Sequence, residues 1–273
     1  MIQGHTLRTS RRVRTFIVAI LVMIMPATGS LASTAVNTKQ LALEDQYRAG
    51  GLRGTMLIQS LDGRTEFIYN LADLSTGYVP ASTFKIPNTL IALEENVIQD
   101  VDDVIVWDGV VRSYAPWNQD QTLKSAFKVS CVWCYQRFAR QIGNQNYRNY
   151  LKLFHYGNQN TGVDIATFWL DGDLRISVRQ QIAFLRRVYE KSLPVRSEHY
   201  QVLEQIMLSE DKGSYRIWSK TGWQGKDGWY VGYLQNDSQV WLFAHHLDIV
   251  SENALPLRRK LVMEALRLMG VIR

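Results

Sequence analysis

Histidine is scarce in this chain of 273 residues, and its five histidines are scattered. His155 and His199 stand alone in the sequence. His245 and His246 are neighbours on a predicted strand, where successive side chains point to opposite faces. No group of residues therefore has the spacing of a metal-ligand set, which a catalytic zinc site would require. We expect a function that needs no metal ion.

Cysteine is rarer still, because Cys131 and Cys134 are the only two in the chain. A Cys-x-x-Cys pair is compatible with a disulfide or with a redox centre. We expect both residues on one turn of a helix, which holds their Cβ atoms apart and strains a bridge. No thioredoxin-like βαβ pattern surrounds them, so a redox role is disfavoured. The favoured interpretation is two small buried side chains, with a structural disulfide as the alternative.

Long apolar runs are also missing from the N-terminal region. The run Phe16–Met25 has ten residues, whereas a membrane-spanning helix needs about 20. It follows four arginines within residues 8–14 and precedes the small residues Ser30 and Ala32, an order typical of a secretory signal peptide. We predict that residues 1–32 are removed by cleavage between Ala32 and Ser33. The mature protein would then be periplasmic or secreted, without a stable membrane anchor.

A large excess of charge of one sign is absent from the predicted mature chain. The net charge of +6 falls by four, to +2, when the four leader arginines are removed. This value gives no electrostatic reason to expect nucleic acid or an anionic membrane as a partner. The content of 46% hydrophobic and 21% charged residues is typical of a globular protein with a buried core. Monomer and homodimer are both open.

The predicted strands lie near both ends of the chain, and helices fill the part between them. Alternating patterns bounded by turn residues predict strands over Arg53–Ser60, Arg64–Asn70, Ser214–Thr221, Trp229–Gln235 and Gln239–Asp248. Helical patterns begin near Ser82 and at Ser177 as an N-cap, with Ser197 as the candidate cap of the next helix. A last helix, Pro256–Met269, closes the chain.

This order of elements predicts an α+β fold. A central antiparallel sheet would be built from both chain ends, with terminal helices and an inserted all-helical lobe. We expect one domain over residues 33–273. Its α/β lobe would comprise residues 33–80 and 212–273 approximately, and its helical lobe residues 81–211. A cleft between two lobes is a natural place for a site.

The pattern Ser-x-x-Lys occurs three times, as Ser82–Lys85, Ser125–Lys128 and Ser209–Lys212. Residues three apart share a helix face, so the amine can reach the hydroxyl and activate it as a nucleophile. Only Ser82 opens a strongly apolar helix, where free backbone N–H groups favour an oxyanion. The second copy is typical of a solvated helix surface and the third of a charged turn. We predict Ser82 as the nucleophile and Lys85 as its base.

Two further short motifs supply polar groups. Lys220-Thr221-Gly222 ends a predicted strand, where a cation and a hydroxyl could hold a substrate carboxylate and glycine allows close approach. A simple strand-end turn is the alternative. Ser130-x-Val132 lies between the other motifs in sequence, and a plain helical serine is its alternative.

In this order the three motifs resemble those of the penicillin-recognising serine enzymes. The residues within and around these motifs resemble those of the class D, oxacillinase-type serine β-lactamases. The resemblance extends from about residue 50 to about residue 262. The segments that carry it are Pro80–Pro87, Tyr156–Asn158, Phe168–Leu170, Leu174–Ser177, Lys220–Trp223, Gly228–Gly232 and Leu255–Arg258. The chain departs from the pattern at Cys131, where a small or aliphatic residue is expected. The bulky Trp223 with its variable tail is a second departure.

The resemblance implies a β-lactamase/transpeptidase-like fold and a catalytic role for several residues. Ser82 would attack the lactam carbonyl and become the acyl-enzyme. The backbone N–H groups of Ser82 and Trp223 would form the oxyanion hole. Ser130 would relay a proton towards the lactam nitrogen, and Lys220 would complete the catalytic set.

The resemblance also implies the residues that bind the substrate, a small β-lactam. Lys220, Thr221 and Arg258 would together hold its carboxylate. Val132, Gly222 and Trp117 would line the site, with the Trp117 ring at its mouth.

Lys85 would carry a carbamate formed from dissolved CO2 or bicarbonate, steadied by the indole N–H of Trp169; no other cofactor is implied. A separate physical argument supports this part of the resemblance. A lysine of ordinary pKa is only about 0.1% neutral near pH 7 and is a poor base. Apolar neighbours would lower that pKa, and only the neutral amine captures CO2. A plain lysine with a lowered pKa is the alternative.

The expected activity is hydrolysis of β-lactams, penicillins at least. One alternative is a sensor or penicillin-binding domain that is acylated without turnover, although such receptors carry membrane helices upstream. The other alternative is a D,D-peptidase that uses the same Ser-x-x-Lys chemistry.

Overall fold

The computed structural model describes Met1, Gly4 and residues 43–273 of the chain. The predicted signal peptide, apart from those first two residues, lies outside the described part. Residues 43–273 fall within one compact unit, Thr38–Arg273. None of the helices in this part has the length and apolar character that crossing a bilayer requires.

The sheet has six strands, and both ends of the chain contribute to it. In chain order the strands of the structure are β1 (Gly54–Ser60), β2 (Glu66–Tyr69), β3 (Val104–Ile105), β4 (Gln121–Thr122), β5 (Leu208–Asp211), β6 (Tyr215–Gln224), β7 (Asp227–Asn236) and β8 (Val240–Asp248). The large sheet runs β2-β1-β8-β7-β6-β5, with every neighbouring pair antiparallel. Strands β3 and β4 form a separate two-stranded sheet. The pairing of β1 with β8 joins the two chain ends, as the sequence predicts.

Six of the eight helices in the described part lie between β2 and β5, and the short sheet of β3 and β4 lies among them, so the inserted lobe is not entirely helical. The helices are α1 (43–49), α2 (Lys85–Glu94), α3 (Leu123–Lys128), α4 (Val132–Ile142), α5 (Asn144–Leu153), α6 (Val178–Tyr189), α7 (Ser197–Met207) and α8 (Leu257–Leu268). The predicted α+β architecture is therefore confirmed.

An apolar core lies on each face of the sheet. On one face, Leu242 and Ala244 of β8 join a core formed with helices α2 to α7. On the other face, Trp241 and Phe243 of β8 join residues of α1 and α8. Burying a side chain such as Phe243 contributes about 1.5–3 kcal/mol. Because successive residues are buried on opposite faces, β8 is apolar along most of its length.

The two neighbouring histidines of β8 follow the same alternation. His245 lies on the α1/α8 face and bonds to Tyr47, whereas His246 bonds to Asp227 and stacks on Tyr78. The predicted opposite orientation of the two rings is confirmed.

The start of two helices tests the predicted caps. Ser177 caps α6, because its hydroxyl accepts a bond from the Gln180 N–H and Gln180 reaches back in a capping box. For α7 the predicted cap is wrong by one residue. Arg196 occupies the N-cap position without a side-chain bond, and Ser197 is the first helical residue.

The third Ser-x-x-Lys copy does not lie in the predicted charged turn. Residues Leu208–Asp211 form the edge strand β5, paired with β6. A short charged segment is a poor strand signal, and here the backbone pairing with β6 outweighs it.

The two cysteines form a disulfide, so the favoured interpretation of two unbridged residues is wrong. The helix begins one residue later than that interpretation assumed. Cys131 is the N-cap of α4, with φ −53° and ψ 109°, and only Cys134 lies in the helix. This non-helical backbone brings the Cα atoms to 5.5 Å, within the roughly 4.4–6.8 Å that disulfides span.

Candidate active site

The predicted nucleophile lies on a tight turn at the start of α2. Residues Ala81–Phe84 form a 3-10 turn, and the α-helix follows from Lys85. Ala81 has a left-handed backbone, φ 49°, which a residue other than glycine adopts only when its surroundings hold it there. The Ala81 N–H donates to the Trp169 carbonyl at 2.9 Å. The Trp229 indole donates to the Val79 carbonyl at 2.8 Å. The nucleophile turn is thus held from two sides.

Ser82 and Lys85 face each other as the spacing predicts. The Lys85 Nζ lies 3.2 Å from the Ser82 Oγ and donates to it. Lys85 has no exposed surface and Ser82 is 7% exposed. Burial, with the charge of Lys220 as a second cause, holds the pKa of Lys85 well below its ordinary value. The Tyr135 ring centre is 4.9 Å from the amine. The site therefore favours a neutral lysine beside the serine hydroxyl.

Trp169 presents a buried donor without an acceptor among the described residues. Its indole Nε1 has no hydrogen-bond partner there, although the ring is completely buried. The ring stacks on Phe84, the residue before Lys85, with centroids 5.5 Å apart. A buried indole N–H normally finds a partner, so this atom indicates a place for an anionic or polar group.

A second lysine–serine pair is assembled from distant parts of the chain. The Lys220 Nζ, on β6, donates to the Ser130 Oγ at 2.5 Å. Ser130 lies between α3 and α4 with a left-handed backbone, φ 55°, and is not the plain helical serine of the alternative interpretation. Burial, followed by the charge of Arg258, lowers the pKa of Lys220 to about 7. Near neutral pH this amine can therefore exist in both its neutral and its charged form.

Gly222 allows the backbone of the nucleophile turn to pack closely against β6, in addition to leaving room for a ligand. A Cβ at this position would lie 3.1 Å from the Pro80 carbonyl oxygen and from the Thr83 Cγ2. A side chain at this position would press on the nucleophile turn, so glycine suits the close packing of β6 against that turn. This contact is how the Lys-Thr-Gly motif and Ser82 come to border the same site.

Arg258 approaches the same end of β6 from the first turn of α8. Its Nη1 donates to the Gly222 carbonyl at 2.5 Å, and its Nε donates to the Leu255 carbonyl at 2.7 Å. Burial lowers its pKa to about 10, so the guanidinium is charged at neutral pH. Thr221, which precedes Gly222 on β6, is partly exposed.

Trp223 and Val132 lie at the end of β6 and at the start of α4, respectively. Trp223 is the next residue of β6, is 39% exposed and donates its indole N–H to the Gly225 carbonyl at 2.8 Å. Val132 is the first residue of α4, is half-buried and follows the disulfide-bonded Cys131.

Trp117 lies against the segment that carries Ser130. Its indole Nε1 donates to the Val129 carbonyl at 3.0 Å, and its own carbonyl accepts from the Trp133 indole at 3.0 Å. Trp133 is a supporting residue that the sequence reasoning missed, because a tryptophan in an apolar helix carries no signal for this contact.

The other two serines of the Ser-x-x-Lys pattern have structural partners. The Ser125 Oγ closes the capping box of α3 with Thr122 and donates to Gln121 at 2.7 Å. The Ser209 Oγ bonds to the Ser219 Oγ at 2.7 Å. Within residues 43–273, neither hydroxyl bonds to the lysine three places on, and this separates both from Ser82.

The chain closely resembles proteins of known activity over most of its length. Residues 19–266 match the penicillin binding protein transpeptidase domain. The chain is 40% identical to β-lactamase OXA-48 of Klebsiella pneumoniae over 219 residues, which cover 79% of this chain and 83% of that protein. It is 34% identical to β-lactamase OXA-10 of Pseudomonas aeruginosa over 266 residues, 95% of this chain and 99% of that protein.

Solved structures give the same result for the fold. FUS-1 (OXA-85), a class D β-lactamase from Fusobacterium nucleatum subsp. polymorphum, superposes with a TM-score of 0.82 at 32% identity, covering 85% of this chain and 99% of that one. The class D β-lactamase YbXI from Nostoc superposes with a TM-score of 0.81 at 36% identity, covering 84% and 98%. Because sequence identity exceeds 30% over most of both chains, these similarities show a shared family and not only a shared fold.

Proposed function

The chain belongs to the class D serine β-lactamases, and from that membership we propose how its residues hydrolyse β-lactams. The observation that carries the proposal is the Ser82–Lys85 pair, with 3.2 Å between hydroxyl and amine and the lysine wholly buried. A hydroxyl next to a base of lowered pKa is the arrangement that activates a serine nucleophile. Penicillins are the first substrates to test.

The acylation step uses the two lysine–serine pairs in turn. The Lys85 side chain takes the hydroxyl proton of Ser82 while the Ser82 Oγ bonds to the lactam carbonyl carbon. The N–H groups of Ser82 and Trp223 stabilise the negative oxygen that forms. The lactam C–N bond then breaks, and its nitrogen takes a proton from the Ser130 hydroxyl, which recovers one from Lys220. The contact of 2.5 Å between Lys220 and Ser130 supports this relay.

Deacylation reuses the first pair. Before this step Lys85 releases to solvent the proton that it took during acylation, and Lys220 regains from solvent the proton that it gave. A water molecule then gives a proton to the Lys85 side chain and its oxygen bonds to the acyl carbon. The bond from that carbon to the Ser82 Oγ breaks, and the Oγ takes the proton back from the Lys85 side chain. The lowered pKa of Lys85 supports this role, because an amine that is charged at neutral pH cannot accept a proton.

Two features of the site fit a carboxylated Lys85. Its amine is desolvated and so favours the neutral form that reacts with CO2. The buried Trp169 Nε1 supplies a donor that has no acceptor among the described residues and would hold the carboxylate. When bound, the CO2-derived group supplies an anionic base in place of the amine.

The substrate carboxylate would be held at the end of β6. Lys220 and Thr221 lie on β6 and Arg258 reaches the same strand at Gly222. The two cations are close enough for Arg258 to lower the pKa of Lys220. An anionic substrate group would relieve this repulsion and would raise the pKa of Lys220 towards the protonated form. Gly222, Val132 and Trp117 would border the rest of the substrate.

We further propose an exported enzyme with a single catalytic domain over residues 33–273. The α/β lobe would comprise about residues 33–80 and 212–273 together with the edge strand β5, and the helical lobe the rest of about residues 81–211. The Cys131–Cys134 disulfide supports export, because disulfides persist in oxidising compartments. The leader features of residues 1–32 support it independently.

Neither the sensor nor the D,D-peptidase alternative is favoured. The relatives that the chain matches over most of its length are β-lactamases by name. A single acylation without product release would be the mark of a sensor, and turnover of penicillins separates the two.

Substitution of the nucleophile tests the proposal. We expect the mature protein to hydrolyse a penicillin at steady state and Ser82→Ala to abolish both hydrolysis and the acyl adduct seen by mass spectrometry. Ser125→Ala and Ser209→Ala are matched controls and should retain adduct formation. An adduct that survives in Ser82→Ala would show that another residue is the nucleophile.

A further inference from the structure

One histidine links helix α1 to the first turn of α8 through two hydrogen bonds, one buried and one partly buried. The Tyr47 hydroxyl, on α1, lies 2.6 Å from the His245 Nε2. The His245 Nδ1 lies 2.8 Å from the backbone carbonyl oxygen of Arg258. Tyr47 is 1% exposed and His245 is completely buried. Neither residue has a part in the chemistry described above.

The partners determine where the protons of this link lie. A backbone carbonyl only accepts, so Nδ1 carries the imidazole proton and donates to Arg258. Nε2 is then the acceptor, and the Tyr47 hydroxyl donates to it. Burial lowers the pKa of His245 to about 3 and raises that of Tyr47. The imidazole is neutral and the phenol protonated at physiological pH, so both bonds have a single direction.

The backbone carbonyl that His245 binds belongs to Arg258, whose side chain reaches the end of β6 where the substrate carboxylate is proposed to bind. The Arg258 guanidinium donates to the Gly222 and Leu255 carbonyls, while its own carbonyl accepts from His245. His245 of β8 therefore holds the first turn of α8 at Arg258, the same residue whose guanidinium bonds to β6. A long, flexible side chain places its charge accurately only when the backbone that carries it is held.

The Tyr47 ring is itself fixed. It stacks on Tyr69 of β2, with ring centroids 3.7 Å apart and planes inclined by 18°. His245 pairs across the sheet with Met56 of β1 and Tyr230 of β7. The imidazole therefore has one position, and the link joins α1, the sheet and α8.

We propose that His245, oriented by Tyr47, is a positioning residue that sets the Arg258 guanidinium for the substrate carboxylate. The inference rests on the carboxylate-binding role proposed for Arg258. Because His245 does not touch the reacting atoms, its loss should weaken substrate binding more than the chemical step.

Three substitutions and one control variant distinguish an effect of the two hydrogen bonds from an effect of side-chain packing. His245→Leu removes both hydrogen bonds at similar volume, and we expect KM for a penicillin to rise about five- to tenfold with kcat changed by less than about twofold. His245→Asn keeps an N–H donor at the place of Nδ1 and should restore KM to within about twofold of the parent value. Tyr47→Phe should raise KM about two- to threefold. Tyr69→Phe, which alters the stacked ring that does not bond to His245, is its control and should leave KM unchanged.

A double-mutant cycle with Arg258→Ala tests whether His245 acts through that arginine. Arg258→Ala alone should raise KM, and adding His245→Leu to it should raise KM no further. If Arg258→Ala leaves KM unchanged, the carboxylate role of Arg258 is wrong and this inference falls with it. If Arg258→Ala raises KM but His245→Leu does not, or raises it equally in both backgrounds, the inference alone is overturned. Should His245→Leu not fold, an unchanged KM in Tyr47→Phe would overturn the proposal by itself.

Discussion

Two buried lysines each donate a hydrogen bond to a serine, yet the two pairs are built in different ways. Ser82 and Lys85 are three residues apart, and one turn of chain brings them together. Ser130 and Lys220 are 90 residues apart and meet only because β6 packs beside the loop between α3 and α4. The first pair is a local structure and the second is a product of the tertiary fold.

Their surroundings also give the two amines different properties. Burial is the main cause of the lowered pKa in both. The pKa of Lys85 is held well below its ordinary value, whereas that of Lys220 is about 7. Lys85 is therefore suited to accept protons, and Lys220 can both carry positive charge and donate a proton near neutral pH. The neighbouring charge differs between the two amines, because it is Lys220 for Lys85 and Arg258 for Lys220.

Loss of Lys85 should have the largest effect. We expect Lys85→Ala to lower kcat/KM for a penicillin by about 10³–10⁴-fold, because Ser82 then has no base. Lys128→Ala, in the exposed second Ser-x-x-Lys copy, is the matched control and should change the rate by less than about twofold. Comparable losses in both variants, measured by steady-state hydrolysis, would remove the distinction between the two copies.

Changes at Lys220 should be smaller and should depend on pH. We expect Lys220→Ala to lower kcat/KM about 100-fold. In the parent protein, KM should rise as the pH increases from 6 to 8, because Lys220, with a pKa of about 7, loses its charge and attracts the substrate carboxylate less. Lys220→Arg keeps the charge and should flatten this profile. A parent KM that does not change over this range would show that the charge of Lys220 does not contribute to binding.

The Trp169 indole gives a sharper test of the Lys85 site. Removal of CO2 should lower the activity of the parent protein, and bicarbonate should restore it. Trp169→Phe removes one donor to an anionic group, so we expect about tenfold lower activity at ambient CO2, with recovery at high bicarbonate. Trp218→Phe, a buried tryptophan that stacks on Tyr233, is the control. Activity that ignores bicarbonate in all three proteins would argue for a plain lysine base.

The disulfide beside Ser130 should have the smallest effect on activity. It closes a loop of four residues, and the chain-entropy relation gives about 2 kcal/mol of stability. The double substitution Cys131→Ala with Cys134→Ala, or treatment with a reductant, should lower the free energy of unfolding in urea by about that amount. Hydrolysis should fall by no more than about threefold, because the Ser130–Lys220 contact does not involve either sulfur. A double variant with the same free energy of unfolding as the parent protein would show that the bridge does not contribute to stability.

Local patterns predicted a large part of this molecule. The Ser177 cap, the two strands at the N-terminal end and the helix after Pro256 follow from periodicity and capping chemistry, which act over a few residues. Local patterns placed Ser197 at the N-cap of α7, one position too late. They also missed β5, because backbone pairing with β6 outweighs its poor local strand signal. They also placed Cys131 inside a helix, although a shift of one residue decides whether the bridge can form.

The sequence alone predicted the contact between Ser82 and Lys85, since residues three apart on a helical turn share one face and can meet. It also distinguished this copy of Ser-x-x-Lys from the other two by the apolar helix that follows. Only the tertiary structure brought Ser130 to Lys220 and His245 to Arg258, and only it left the Trp169 indole without an acceptor among the described residues. These arrangements depend on a sheet assembled from both chain ends and on the packing of helices against it, and no local pattern encodes contacts across such distances.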